Sequence, residues 1–412
     1  MARTILLVCW LAGAGAARYD PLTIGGEWLI GGYKAVLSPL QGPNTCNFFP
    51  TCSQFTKAAI QSQGFVPGLL IGADRLMRCN TVAWSYYDSY YVGDVVSGRM
   101  PDPVENHVAW LSPTDEPGLR VPAQPVPLTE ARDRSLTRVS PSLGFADYLY
   151  SSGEYEQAAA EYLRVRFSFG SSGLSGYAGL MAGESYLQAG EVARARHAYQ
   201  DLVLPRVREF RQYGLARTFF AEARYAEART SLGSIRSAPL SGQAKALAGW
   251  TFFRQRRFAD GASSLAASAS DEPSRHLSTM DGHDLPRRSR LASSLLSAIV
   301  PGAGQLYSGR AGDGAYSFLS VAGTGLVTWW FAAEPATRDR TRVKVSIFGV
   351  LTALFYAGNV YGANVAARDY NLLQERRYVQ RADSLFRLIP LEPDYTGLLD
   401  SACSDTARPG RE

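Results

Sequence analysis

The sequence predicts a mainly α protein in three parts: a small helical cysteine module, a helical-repeat solenoid and C-terminal transmembrane helices. Three observations predict it. Cysteines 46, 52 and 79 lie in a dense aromatic and glycine-rich stretch near the N-terminus. A pattern of small residues at helical spacing recurs through the middle of the chain. Residues 314–333 and 345–367 carry no charged side chain, over 20 and 23 positions.

The elements follow in order. Residues 1–17 place Arg3 before an apolar run from Ile5 to Leu11, then small residues at 14–17. That is the pattern of a cleaved secretory signal, with an uncleaved anchor as the other reading. Residues 18–110 form the cysteine module. Residues 111–140 form a linker whose prolines 113, 117, 122, 125 and 127 each lack an N–H and fix φ, which forbids regular helix. Residues 141–268 hold the repeats. Residues 269–290, with Pro273, Gly282 and Pro286, form a second linker. Residues 291–367 form the membrane segment, and 368–412 a tail that opens as a charged helix from about Asp369 to Arg387.

Bulk chemistry narrows the function classes. A chain of 412 residues exceeds one core and implies several domains. A net charge of +5 is too small for a dedicated nucleic-acid binder. Only four histidines limit acid–base and metal chemistry. No GxSxG, P-loop, HExxH or paired-carboxylate pattern is present, so no enzyme, catalytic residue or cofactor is expected.

Within the module, Tyr33 and Ser38-Pro39 lead to Cys46-Asn47-Phe48-Phe49-Pro50-Thr51-Cys52-Ser53-Gln54-Phe55, then Ala59-Ile60, Gly64, Gly68 and Arg75-Leu76-Met77-Arg78-Cys79-Asn80. This run resembles the YidD family, the "putative membrane protein insertion efficiency factors". Its motif residues here are Cys46, Pro50, Thr51, Cys52, Ser53, Arg75, Arg78 and Cys79. The sequence departs from the family pattern at Asn47, usually Arg, and Phe55, usually Tyr. An aromatic insert, residues 81–100, also separates Asn80 from the Asp102-Pro103-Val104 of the family ending. Residues 18–110 hold six Lys/Arg against seven Asp/Glu, which argues against attraction to anionic lipid through basic charge. The resemblance implies a non-catalytic accessory factor acting beside the membrane insertion machinery on the cytoplasmic side.

Five residues separate Cys46 from Cys52, longer than a zinc-knuckle spacing, and no histidine is near to complete a tetrahedron, so no metal is expected. A disulfide, or three small buried side chains at helix contacts, are both open readings. Arg75 and Arg78 lie three apart on one helix face. They suit a phosphate, a lipid headgroup or a carboxylate, with Asp74 at hand for a salt bridge.

In the middle region, Ala158, Ala195, Ala228 and Ala262 anchor four similar segments at steps of 37, 33 and 34 residues. This resembles the tetratricopeptide repeat, whose stacked helix pairs form a concave surface for a protein partner. Arginines 206, 208, 211, 217 and 224 suggest a basic exposed face.

The two charge-free runs each match a hydrocarbon core of about 30 Å at about 1.5 Å per residue. The loop between them carries Arg338, Arg340, Arg342 and Lys344, which marks a cytoplasmic side. Before them, Pro301, Gly302, Gly304, Gln305 and Tyr307 resemble a PGAGQ-x-Y signature of small bacterial membrane proteins, and the Pro and Gly predict a bent or re-entrant element. Together these readings place a multi-pass protein in the bacterial inner membrane, with its soluble parts on the periplasmic side if the signal is cleaved. Expected partners are membrane lipid, a protein bound by the repeats and the insertion machinery. An envelope scaffold working through the repeats is the alternative role.

Overall fold

The computed structural model describes residues 46–91, 93–108, 141–170, 173–237, 240–266, 272–333 and 338–385. The signal-like segment, the Pro-rich linker and the tail beyond 385 lie outside these. The chain forms two compact units, one of residues up to 115 with 285–376, the other of 116–284 with 377 onward.

The first unit begins with the cysteine module. Strand β1 (Phe48–Phe49) leads into helix α1 (Cys52–Gln63), turns at Gly64 and returns as α2 (Phe65–Arg78). Gly64 has φ 88°, a left-handed conformation that ends one helix and starts the next. Gly68 lets the two helices touch backbone to backbone, since a Cβ there would collide with Ala59 and Ile60. The aromatic insert contributes helical turns at Ala83–Tyr86 and Tyr87–Tyr90. Strand β2 (Met100–Pro101) then pairs in parallel with β1, Phe48 opposite Met100 and Phe49 opposite Pro101.

The described residues of the second unit include four helix pairs: α3 (Pro141–Ser151) with α4 (Tyr155–Ser168), α5 (Gly173–Gln188) with α6 (Val192–Gln200), α7 (Arg208–Ala221) with α8 (Tyr225–Leu232), and α9 (Leu240–Arg254) with α10 (Phe258–Ala266). The turn inside each pair has one construction. Gly153, Gly190, Ala223 and Arg256 all hold a left-handed φ, each two residues before the second helix. Between pairs, the Tyr199 ring fills the space left by the absent side chains of Gly183 and Gly214. Arg217 departs from the sequence reading. It is buried rather than exposed, and pairs with the equally buried Glu184. The second linker also departs in part, because α11 (Glu272–Ser278) is helical.

The chain returns to the first unit with α12 (Arg290–Ile299), α13 (Ala303–Tyr307), α14 (Ala311–Ala333) and α15 (Arg338–Leu385), whose residues from 377 on belong to the second unit. The break between α12 and α13 falls at Pro301-Gly302, as a missing N–H and a left-handed glycine require. Helices α14 and α15 lie side by side: the Thr328 and Thr352 hydroxyls are 3.1 Å apart, and Phe331 packs on Phe348. Among the described residues one stretch, Thr341–Asp383, is long and apolar enough to cross a membrane. The charged helix expected from Asp369 is not a separate element but the continuation of α15.

Helix α12 is inverted relative to a water-soluble helix. Ser293 and Ser297 are fully buried, while Leu291 and Ile299 are 69% and 79% exposed. Polar groups inside and leucines outside suit a lipid surround.

Candidate functional site

The site is a buried ionic network in the YidD-like module, continuous with the start of α14 and with α15 around Asp369. Helix α2 presents Asp74, Arg75 and Arg78 inward, all nearly inaccessible. Arg75 is held flat between Phe48 and Phe55, its guanidinium 4.0 and 4.4 Å from the ring centres. Its Nη2 donates to the Pro50 carbonyl at 3.1 Å, and its Nη1 to the Asp102 carbonyl at 3.0 Å and to the Asp102 carboxylate. Arg78 donates from Nε to Asp74 at 2.8 Å and from Nη1 to Asp102 at 3.2 Å. Its Nη2 lies 3.1 Å from Nδ1 of His107, whose Nε2 contacts Asp102. The β1–β2 pairing brings Asp102 here, because the Asp102 N–H donates to the Phe49 carbonyl at 2.9 Å.

Charge decides the protonation states. Burial pushes the Asp102 carboxyl up, but contact with His107 and the fixed charges of Arg75 and Arg78 outweigh it and hold the group well below the usual carboxylate range. Burial and the neighbouring Arg78 charge lower the His107 pKa despite Asp102, so the ring is neutral at pH 7. A neutral ring donates from Nε2 to Asp102 and accepts at Nδ1 from Arg78, which is the arrangement present. Burial raises the Tyr91 phenol to about 12.

Tyr91 links this network to the chain around Arg310, just before α14. Its hydroxyl accepts from Arg78 at 3.1 Å and from Arg310 at 2.9 Å. Arg310 is 1% exposed, with the rings of Tyr90, Tyr86 and Tyr91 at 4.8, 5.8 and 6.0 Å. It also pairs with Asp313 at 2.8 Å and Asp369 at 3.3 Å. Asn80 donates to Asp313 at 3.1 Å, and Tyr86 accepts from the Gly312 N–H at 2.9 Å. On α15, Arg368 donates to the Val108 carbonyl at 2.8 Å, and Tyr361 donates to the His107 carbonyl. Gly358 and Gly362 give α2 its seat on α15, since a Cβ at either would strike Ala73 or Asp74.

Most residues singled out in the sequence have identifiable contacts. Thr51 caps α1, its N–H donating to the Gln54 side chain at 3.1 Å, and the Ser53 hydroxyl lies 3.5 Å from that of Thr51. Arg75 and Arg78 are spent on buried carboxylates rather than offered to a headgroup. Asn47, the departure from the family's Arg, donates to the Asn80 carbonyl at 2.7 Å. Cys46, Cys52 and Cys79 converge as free thiols. Hydrogen bonds from Cys52 and Cys79 pull the Cys46 thiol pKa down, and the same contacts push the other two up.

The Pro301–Tyr307 motif folds around Asn359 of α15. Gly302 N–H donates to the Asn359 side chain at 2.8 Å, Gln305 donates to the Asn359 carbonyl at 3.0 Å, and Asn359 donates to the Ser297 carbonyl at 2.9 Å. Ser297 in turn bonds Gln305 at 2.8 Å and accepts from the Gly304 N–H at 2.9 Å. Tyr307 accepts from the Ser289 N–H at 3.3 Å. The broken helix thereby satisfies its freed backbone groups.

A family model described as "Putative membrane protein insertion efficiency factor", YidD, matches residues 26–91. A protein of that description from Syntrophobacter fumaroxidans is 48% identical over 60 residues, which is 15% of this chain and 74% of the relative. The chain belongs to the YidD family. A relative from Acinetobacter baumannii strain SDF is 34% identical over 85 residues, 20% of this chain and 79% of its own. One from Staphylococcus epidermidis is 41% identical over 56 residues, 14% and 66%. No solved structure matches. The matched residues cover α1, α2 and the insert's tyrosines, but stop short of Asp102 and His107, which complete the YidD network from outside the match.

Sequence reasoning missed Asp102 as the partner of both arginines, and missed His107, Arg310 and Asp313. One signal was available: Arg310 and Asp313, three apart, are the only charges between residues 291 and 333. An ionisable pair inside an apolar stretch marks a structural or functional contact.

Proposed function

We propose that the protein is a non-catalytic accessory factor for membrane protein insertion, which carries its own membrane hairpin and recruits a protein partner through its repeats. The carrying observation is that the YidD module is joined to the membrane helices by buried polar contacts, Arg310 to Tyr91 and Asn80 to Asp313, rather than resting beside them. The inverted α12 and the exposed Trp329 and Trp330 near the end of α14 support lipid as the surround. We read α14 and α15 as the two spans and α12–α13 as re-entrant. The four helix pairs support a tetratricopeptide-like solenoid, and Phe145, Tyr148 and Phe167 leave apolar surface for a partner.

We further propose that the module end of the hairpin faces the cytoplasm. Arg287, Arg288 and Arg290 lie at and just before the start of α12, Arg310 just before α14, and Arg368 and Arg376 in the part of α15 where Arg288 N–H donates to Asn371 at 2.7 Å and Arg287 pairs with Glu375 at 3.3 Å. These six outnumber the four basic residues that open α15 at 338–344, which the sequence reads as a loop and the structure shows as helix. The signal-like residues 1–17 argue for the opposite side, so the orientation is the decisive measurement. Cysteine placed at exposed Glu105 or at exposed Arg342 is labelled with a membrane-impermeant maleimide in intact cells, against the parent chain as background. Protection of Glu105→Cys and labelling of Arg342→Cys are expected. The reverse pattern overturns the orientation. Loss of nascent membrane proteins from purified complexes when the module is deleted supports the role, and unchanged recovery sinks it.

A further inference from the structure

The three thiols of the module take no part in the ionic network. Cys46 precedes β1, Cys52 opens α1 and Cys79 closes α2. The Cys46 sulfur lies 3.3 Å from that of Cys52 and 3.6 Å from that of Cys79, and all three lie within 4.8 Å of one another. Plane geometry puts a point equidistant from three such sulfurs at about 1.8–2.4 Å from each, a range that contains the zinc–thiolate bond of about 2.3 Å. Two backbone donors already address the sulfurs: Cys52 N–H to Cys46 at 3.3 Å and Asn47 N–H to Cys79 at 3.5 Å. Such fixed second contacts orient metal-bound thiolates.

We propose that Cys46, Cys52 and Cys79 bind one thiophilic d10 cation, Zn2+ or Cu+, as a three-thiolate site. A fourth protein ligand, whose absence argued against metal at the level of sequence, is not required. Three-ligand zinc sites leave one position to water, and soft thiolates select both ions. The three cysteines are half-buried, which admits a solvent ligand. Binding forms three metal–sulfur bonds, and each thiol still protonated releases its proton to solvent, with no change of oxidation state. The ion would clip β1 to the near ends of α1 and α2, the ends from which Pro50 and Arg75 build the adjoining network.

The test uses the full chain in detergent, reduced and then freed of reductant. Titration with Cd2+, and anaerobically with Cu+, is followed by thiolate-to-metal charge-transfer absorbance, and metal content as isolated is measured by mass spectrometry. The expected result is a band saturating at one equivalent, lost in Cys46→Ser and in Cys79→Ser and kept in Cys403→Ser. Chelation should lower protease resistance of the module in the parent chain and leave the Cys46→Ser chain unaffected. The metal recovered from cells separates the zinc arm from the copper arm. No band with either ion on a chain proven to hold three reduced module thiols overturns the proposal, as does a Cys46–Cys52 disulfide in acid-trapped protein from cells.

Discussion

Removing Arg75 should reveal how strongly the module depends on its buried charges. The side chain is fully buried, donates to two carbonyls and a carboxylate, and lies between two phenylalanine rings. Arg75→Met keeps length and apolar packing but leaves the Asp102 carboxylate and the Pro50 carbonyl short of a donor. Breaking a buried ion pair from one side costs about 3–5 kcal/mol. Arg78 remains 3.2 Å from Asp102, so the low end, about 3 kcal/mol, is expected. Asp102→Asn keeps the shape and strands Arg75, at a similar cost, because Arg78 still has Asp74 at 2.8 Å. The double variant removes both halves of one interaction, so it should cost less than the sum of the singles by about 1.5–3 kcal/mol. Arg75→Lys should not rescue, since a single ammonium lacks the planar fork of two nitrogens that reaches these acceptors and the flat face that stacks between the rings. Pulse proteolysis against denaturant, with the full chain in detergent and the module fragment as readout, gives each value. The exposed pair Arg257–Asp260 serves as control, with coupling below about 1 kcal/mol. Additivity of Arg75→Met and Asp102→Asn within about 0.5 kcal/mol would refute the network argument.

Two further outcomes follow from the same geometry. His107 is held below its unfolded pKa of about 6.5, so the unfolded chain binds its proton first, and module stability present above about pH 6.5 is lost as pH falls through that value; Asp102, held below about 3.9, adds a second loss as pH drops past about 4. Pulse proteolysis across pH 4.5–7.5 should show the upper step in the parent chain and none in His107→Gln, and a step of equal size in both would remove His107 from the account. In the repeats, Ala223 is exposed and holds φ 60°, a conformation costing a non-glycine residue about 1–2 kcal/mol. After the extra chain entropy of glycine, Ala223→Gly should stabilise the repeat unit by about 0.5–1 kcal/mol and Gly190→Ala should destabilise it by a similar amount, both read as denaturant midpoints.

Local physics was legible in the sequence, and long-range pairing was not. The left-handed turns at Gly153 and Gly190 and the helix break at Pro301-Gly302 follow from residue type alone. The anchors Ala158, Ala195, Ala228 and Ala262, at steps of 37, 33 and 34 residues, all lie buried in the second helix of a pair. The pairing of Arg75 with Asp102 crosses 27 positions and an insert, and Arg310 meets Tyr91 across 219. No local periodicity encodes such contacts. Arg217 shows the converse error: a charge on a repeat helix reads as a solvated face until its partner Glu184, 33 residues earlier, is seen beside it.

The aromatic insert explains how a YidD module can be tied to other helices. The matched 60 residues make up 74% of the Syntrophobacter relative, which therefore has no room for counterparts of residues 285–376. In the present chain the insert separates Asn80 from Asp102, a loop of about twenty residues. Closing a loop costs entropy that grows only logarithmically with length, so the added expense is about 1–2 kcal/mol beyond a short connection. The insert offsets that cost at its own site. Tyr86, Tyr90 and Tyr91 surround Arg310, and cation–π contact with a desolvated guanidinium contributes about 1–2 kcal/mol before the hydrogen bond to Tyr91 is counted. The β1–β2 pairing then returns Asp102 to Arg75. The tyrosines that make this connection lie within the family match, which runs to residue 91. The connection leaves the module's arginine pairs intact while placing Arg310, just before α14, against the same tyrosine that Arg78 uses.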